Sequence, residues 1–398
     1  MRTEKKILIV GASILQKPAV VRAKQLGCSV AVADYDPNAA AIPYADRYYN
    51  VSTVDAEGVC RAAKDFGADG IMTIATDMPM RSVAYTAKKL GLTGISEETA
   101  VRATDKGEMI RAFEAHGVAH PWYRILPDPS AIGGIKETLT YPCVSKPTDN
   151  SGSRGVTLIR SEEELAPALN YSRENGRKGG VIIEEYLTGS EVSVEVIVYK
   201  GVPHVLQITD KITTGAPHFV EMGHTQPSRL PASDREKIAS LACAAVRAVG
   251  IDNGPAHVEI MLTANGPKMI ELGARMGGDC IASHLVPLST GIDMIGAALS
   301  IALGEEPDLS RRFDRGSAIR YLDPPAGTVL KVEGIEEARK IAGVKEVNVQ
   351  AGPGGRIGEI SSSVSRAGFV IAEGKDAQEA AAIAEKAAGT VRFTTARQ

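Results

Sequence analysis

The stretch HVEIMLTANGPKMIELGARMGGD, residues 257–279, decides how the rest of the chain is read. Two apolar runs, 258–262 and 268–272, flank a Thr-Ala-Asn-Gly-Pro turn, the pattern of a β-hairpin. Glu259 lies in the first run and Glu271 in the second, each between apolar neighbours. A carboxylate half-buried on a strand needs cationic compensation, and facing positions on paired strands are close enough to share one partner. Hard oxygen ligands held together suit Mg2+ (or Mn2+), which binds through one or two carboxylates plus phosphate oxygens. Arg275 follows four residues after Glu271, and Gly277, Gly278 and Asp279 come next. A permanently charged fork beside such a pair suits a transferring phosphoryl group. A structural hairpin with a buried Glu–Arg pair fits the same residues, so the stretch alone leaves both readings open.

At 398 residues the chain is too long for one ordinary core, which predicts two or three domains. Its 44% hydrophobic and 23% charged content is that of a globular protein. A net charge of −3 gives no electrostatic case for nucleic acid or an anionic membrane. No apolar run approaches the roughly 20 residues of a membrane span. The start, MRTEKKILIVGAS, reads as a first strand rather than a signal peptide. Five scattered cysteines (Cys28, Cys60, Cys143, Cys243, Cys280), without CxxC spacing, point to a reducing cytoplasm and away from a metal cluster. The 40 glycines against 5% aromatics suggest many tight βα turns and an α/β class.

From the N-terminus, the apolar run 7–10, a helix to about residue 26, SVAVAD at 29–34, a helix over 55–66, DGIMTIA at 69–75 and a helix over 79–90 make a βαβαβ pattern. Asp34, ending the second strand, is where a dinucleotide fold contacts ribose, but GASILQ has one glycine where that fingerprint wants three. A Rossmann-like scaffold without its cofactor is the preferred reading. Helices fill 99–117, with Asp105 and Lys106 opening the second. In YPCVSKPTDNSGSRGVTLIRS, residues 141–161, Lys146 ends a strand before a Gly/Ser loop containing Ser151, Gly152, Ser153, Arg154 and Gly155. Two cations around backbone N–H donors suit a phosphate, and an ordinary hairpin turn is the alternative.

After a helix over 162–175, a strand over 181–185 leads through Tyr186 and Leu187 to an alternating strand over 190–199. The 184–187 segment (Glu184, Glu185, Tyr186, Leu187) offers the edge an adenine slot needs, with Glu191 near the ribose. Glu195 reads equally well as the wet face of this sheet. The segment 208–230 places Lys211, His218, Glu221 and His224 among glycines and prolines, as site-lining loops often do. Its His/Glu/His spacing raises zinc, but three-residue steps along a strand alternate faces. The helix over 232–249 is scaffold, with Ile238, Leu241, Ala242, Ala245 and Val249 as its apolar stripe. Two helices are expected over 279–304. The tail, 315–398, reads as small, β-rich and structural, with few clustered ionisable groups.

The order of these parts resembles the ATP-grasp superfamily: a βαβ start, two lysines, a Gly/Ser loop, an EEYLxGxE hinge and an E…E-x-x-x-R hairpin. PHFVEMGHTQPS, ARMGGD and SSSVSRAGFVIAEG look most like its L-amino acid ligase branch. The resemblance implies an α/β ATP-grasp fold with a Rossmann-like N-terminal domain (1–95) and an ATP-grasp domain (96–310). The latter would have a small α+β lid at about 121–186 and an antiparallel central sheet, followed by a C-terminal α+β subdomain (311–398). It implies that Lys106 and Lys146 contact ATP phosphates under the 151–155 loop, that 184–187 forms the adenine hinge, and that Glu191 and Lys211 belong to the nucleotide set. Glu259 and Glu271 would hold Mg2+, and Arg275 would steady an acyl-phosphate transition state. Glu221, His224, Arg275, Gly277, Gly278 and Asp279 would face small-molecule substrates, an amino acid or other carboxylate and an amine.

Many members of the superfamily carry an Asn two residues after the second Glu, where this chain has Gly273. The implied reaction forms an amide or dipeptide with ADP and phosphate, in a cytoplasmic enzyme that is by default a homodimer. Purine-pathway ligases and biotin carboxylase share the scaffold and are the nearest alternatives. A nucleotide-binding protein without turnover and a nicotinamide oxidoreductase are more distant.

Overall fold

A computed structural model describes residues 4–396 apart from 128–131, 133–134, 153, 178 and 217–218, so the expectations placed on Ser153 and His218 lie outside the described residues. The apolar start becomes Lys6–Val10, a central strand of a four-stranded parallel sheet. The strand order is Arg47–Asn50, Ser29–Asp34, Lys6–Val10, Gly70–Met72. Ile7 and Ile9 pack on one face against helices Lys17–Gln25 and Met294–Ala302. Leu8 and Val10 pack on the other against Ala56–Phe66 and Met80–Leu90. Coverage on both faces is why the strand is apolar throughout. The Asp34 carboxylate accepts the backbone N–H of Ala12 at 2.7 Å and of Asp36 at 3.0 Å. Gln16 lies over Gly11 and donates to the Ile74 carbonyl at 2.8 Å. The first βα turn is therefore closed by the chain's own side chains.

The central layer is an eight-stranded sheet ordered Gly266–Gly273, Gly254–Thr263, Ser190–Tyr199, Val202–Thr213, Glu221–Gln226, Gly316–Tyr321, Gly368–Gly374, Val344–Val349. Helix Ala232–Val249 covers one face through Ile238, Ala242, Ala245, Val246 and Val249. The strand Ser190–Tyr199 is buried on both faces, and Glu195 is 0% exposed rather than on a wet face. The expected tail supplies the last three strands of this sheet, packed by helix Ala377–Thr390. A separate four-stranded sheet, ordered Tyr123–Leu126, Val181–Glu185, Cys143–Pro147, Thr157–Ile159, carries the Gly/Ser loop. No single helix among the described residues is long and apolar enough to cross a membrane.

Candidate active site

The decisive hairpin forms as expected, from Gly254–Thr263 and Gly266–Gly273, and its register sets Glu259 directly opposite Glu271. Next to this pair the register shifts, because Ile260 faces Met269 and leaves Ile270 as an extra residue. Such bulges re-aim side chains, and they concentrate beside functional sites. The shift lets Met269 join Ile260 under the covering helix while Glu271 stays with Glu259.

Each carboxylate is held by cations. Lys106 Nζ lies 3.0 Å from Glu271 and also donates to the Asn150 carbonyl at 2.7 Å. Asp105 sets its place by capping helix Lys106–Ala115, accepting the Glu108 N–H at 3.0 Å. Lys211 Nζ sits among Glu191 (2.5 Å), Glu259 (3.0 Å) and Glu221 (3.6 Å). Burial alone would lower the Lys211 pKa, but the Glu259, Glu191 and Glu221 carboxylates hold it well above the usual lysine value. Lys146 pairs tightly with Glu184, and Glu185 pairs with Lys268 at 2.7 Å. His257 bridges Glu259, 3.3 Å from Nε2, and Glu195, bonded through Nδ1. Burial disfavours the imidazolium there, yet Glu195 more than reverses this and raises its pKa to about 9.

Two cavities meet at this wall. One, of about 150 Å³, is lined by Lys146, Gly152, Arg154, 184–187, Glu191, Lys211 and Glu221, with Val144, Phe219 and Met261 as apolar walls. The Tyr186 and Phe219 rings stand 6.5 Å apart, centroid to centroid. The other, of about 350 Å³, is lined by Asp77, Arg81, Asp149, Arg177, His257 and Arg275. Lys106, Asn150, Ser151, Glu259 and Glu271 border both. Gly155 sits behind the loop at φ +80°, where a Cβ would lie 2.8 Å from Asn175 and 3.0 Å from Pro147. Among the described residues no group of three or more His, Cys, Asp or Glu side chains is arranged to hold a metal ion. A divalent ion at the Glu259–Glu271 pair would draw its remaining ligands from phosphate or water, which fits Mg2+ chemistry.

The remaining expected substrate residues fall elsewhere. His224, Gly277, Gly278 and Asp279 border neither cavity. The Gly277 N–H donates to Glu195 at 3.1 Å, and a Cβ on Gly278 would meet only Ala75, 4.0 Å away. Asp279 is gripped by both Arg366 nitrogens, at 2.8 and 2.7 Å, and by His224 Nε2 at 3.2 Å. Arg366 also stacks 3.5 Å over the Tyr321 ring and donates to the Glu221 carbonyl at 3.0 Å. The tail is therefore not ionically inert, since Arg366 belongs to it. The arginine is distant in sequence, and only the SSSVSRAG match hinted at it.

Burial would raise the Asp279 pKa, but the bonds from Arg366 and His224 hold it far below the usual Asp range. A depressed pKa contributes stability that is full above the ordinary Asp value and is lost as pH falls. Asp279→Asn is expected to cost about 3–5 kcal/mol at pH 7, because Arg366 stays buried without its charge partner. The gap to the parent protein narrows below about pH 4. Urea unfolding of both proteins at pH 7 and pH 3 checks this, and a pH-independent gap contradicts the assignment.

Comparison with known proteins agrees with this geometry. The ATP-grasp domain matches residues 139–283, and L-amino acid ligase C-terminal domain 2 matches residues 320–396. The L-amino acid ligase of Bacillus licheniformis superimposes with a TM-score of 0.86 at 25% identity, covering 100% of both chains. The chain has the ATP-grasp fold and carries an ATP-grasp domain. This ATP-grasp chain is also 27% identical to alanine–anticapsin ligase of Bacillus subtilis, over 75% of its length and 67% of that protein. It is 28% identical to the uncharacterized protein y4rH of Sinorhizobium fredii, over 84% of its length and 70% of that protein. Sequence reasoning missed Phe219, Met261, His257, Glu195, Asp77, Arg81 and Arg177. Met261 was within reach, two positions from Glu259 on the same strand face; Asp77, Arg81 and Arg177 had no local signal.

Proposed function

We propose that this chain activates the carboxylate of an amino acid with ATP and couples it to the amine of a second amino acid, releasing a dipeptide, ADP and phosphate. The observation that carries the reading is the position of Glu259 and Glu271 on the wall shared by the two cavities. A phosphoryl group passing from nucleotide to substrate has to cross that wall. The cavity with Tyr186, Phe219 and Val144 takes the nucleotide base, with the 184–187 edge supplying backbone groups and Glu191 meeting the ribose. Lys106, Lys146, Lys211 and the 151–155 loop meet the phosphates. The Arg275 cavity takes the carboxylate substrate, and Glu221 opens toward the same wall.

Glu259 and Glu271 would hold Mg2+, which would neutralise charge on the transferring phosphoryl group. Lys106 and Lys211, paired with these carboxylates at 3.0 Å, lie where they would meet phosphate oxygens. Little covalent work falls to the protein; positioning and charge neutralisation do the rest. Arg275 faces the negative charge that develops on the mixed anhydride. The amine then attacks the acyl carbon, the C–N bond forms, and phosphate leaves with the anhydride oxygen. The L-amino acid ligase match over 320–396 supports an amino acid over bicarbonate or a purine precursor.

An ADP-release screen over all pairs of the common amino acids, with bicarbonate and formate as separate arms, tests this. Release on amino acid pairs, with a product mass equal to the two substrates less water, is the expected result. Release that depends on bicarbonate or formate alone overturns the substrate assignment.

A further inference from the structure

Gly273 stands where many ATP-grasp chains carry an asparagine, and the structure gives a reason for the glycine. Its φ lies outside the left-handed region, so backbone conformation does not require it. Space does. A Cβ at 273 would lie 2.6 Å from Asp77 Oδ1 and 3.0 Å from Arg275 Nε. Asp77 comes from the N-terminal domain, on the turn before helix Met80–Leu90, and reaches across to the end of the hairpin. There it accepts from Arg275 Nε at 2.9 Å and Nη2 at 3.2 Å, an arrangement only a planar fork can satisfy. Arg275 Nη1 donates to the Met276 carbonyl at 3.3 Å. Asp77 and Arg275 are 18% and 13% exposed, and both line the larger cavity with Glu259 and Glu271.

A guanidinium has two edges suited to an oxyanion: the side edge through Nε and one terminal nitrogen, and the end through both terminal nitrogens. Asp77 occupies the side edge. Its grip fixes the plane, and beyond the Asp77 and Met276 bonds one N–H on each terminal nitrogen remains for a second anion. We propose that Asp77 is a positioning residue that takes the space a side chain at 273 would fill and aims Arg275 at the reacting carboxylate. The N-terminal domain thereby supplies the active site with an orienting group that the hairpin strand lacks. This rests on the reading of Arg275 above. Asp77 acts through Arg275 and not on the nucleotide, because it is absent from the nucleotide cavity.

The test compares Asp77→Asn, Asp77→Ala, Gly273→Ala, Arg275→Ala and the double variant Asp77→Ala/Gly273→Asp. Each is measured by ADP release with the pair of amino acids found in the screen, or by basal MgATP turnover if no pair is found. Arg275→Ala is expected to lose about 100- to 1000-fold in kcat. Asp77→Asn keeps the shape but turns an amide toward one Arg275 N–H, and is expected to lose about 100-fold, the scale of a misplaced catalytic group. Its KM for ATP stays within about twofold, a split that general destabilisation does not produce. Gly273→Ala shows the same split. The double variant returns a carboxylate to the pocket from the strand side, and regains at least about tenfold over Asp77→Ala alone.

If Asp77→Asn keeps kcat within about twofold while Arg275→Ala is impaired, this inference is wrong and the function stands. If Arg275→Ala is itself fully active, the proposed role of Arg275 fails and takes this inference with it. A loss in Asp77→Asn that falls on the KM for ATP instead of kcat also overturns it.

Discussion

Glu271→Ala is expected to abolish measurable turnover while the protein stays folded. The side chain is 26% exposed and stands at the rim of both cavities, so its loss opens no sealed core. Lys106 loses its 3.0 Å partner but keeps the Asn150 carbonyl. On the proposed role, a bound ion would lose one of its two protein oxygens, and with it charge neutralisation of the phosphoryl group, several kcal/mol of barrier. At 1.36 kcal/mol per decade this predicts a fall in kcat of about 1000-fold or more. Steady-state ADP release, with far-UV circular dichroism and a thermal melt as fold controls, checks it. A folded variant with full activity removes the metal assignment.

Lys211→Met is expected to destabilise the protein strongly. Lys211 is 3% exposed and is the cation nearest to Glu191, Glu221 and Glu259 together. Methionine fills the volume and supplies no charge, so three carboxylates are left facing one another. Removing one partner of a buried charged set costs about 3–5 kcal/mol. Mg2+ offers replacement charge beside Glu259, so millimolar Mg2+ stabilises the variant more than the parent, by linkage to the folded state. Urea titrations with and without Mg2+ read both effects. An unchanged midpoint, or equal stabilisation of both proteins by Mg2+, contradicts the arrangement.

The hairpin, the parallel N-terminal sheet and the lysine-bearing elements were legible because each is written locally. Apolar runs, a Gly-Pro turn and the Asp105 cap all lie within a few residues of what they determine. The bulge at Ile270 was not legible. Met269 and Glu271 are two apart, and simple alternation puts them on one face, whereas the register shift seats Met269 opposite Ile260. Glu195 misled for a related reason: a polar residue alternating with valines marks a wet face unless a distant His257 buries and bonds it. Asp77 and Arg366 meet their partners across 198 and 87 residues, separations over which no periodicity carries information. The dense 208–230 segment lines a cavity at Lys211 and Glu221. His224, in the same segment, turned inward to Asp279.

The continuity of the eight-stranded sheet bears on any attempt to dissect the chain. Strands from both sides of position 310 hydrogen-bond as neighbours, Glu221–Gln226 with Gly316–Tyr321. A fragment ending near 310 would leave the first of these as a bare ladder of unsatisfied amides and carbonyls, a template for intermolecular pairing. The shorter polypeptide should therefore accumulate as aggregate rather than as a free-standing catalytic module, and a cut at the boundary the resemblance implied would run through a sheet instead of between two bodies.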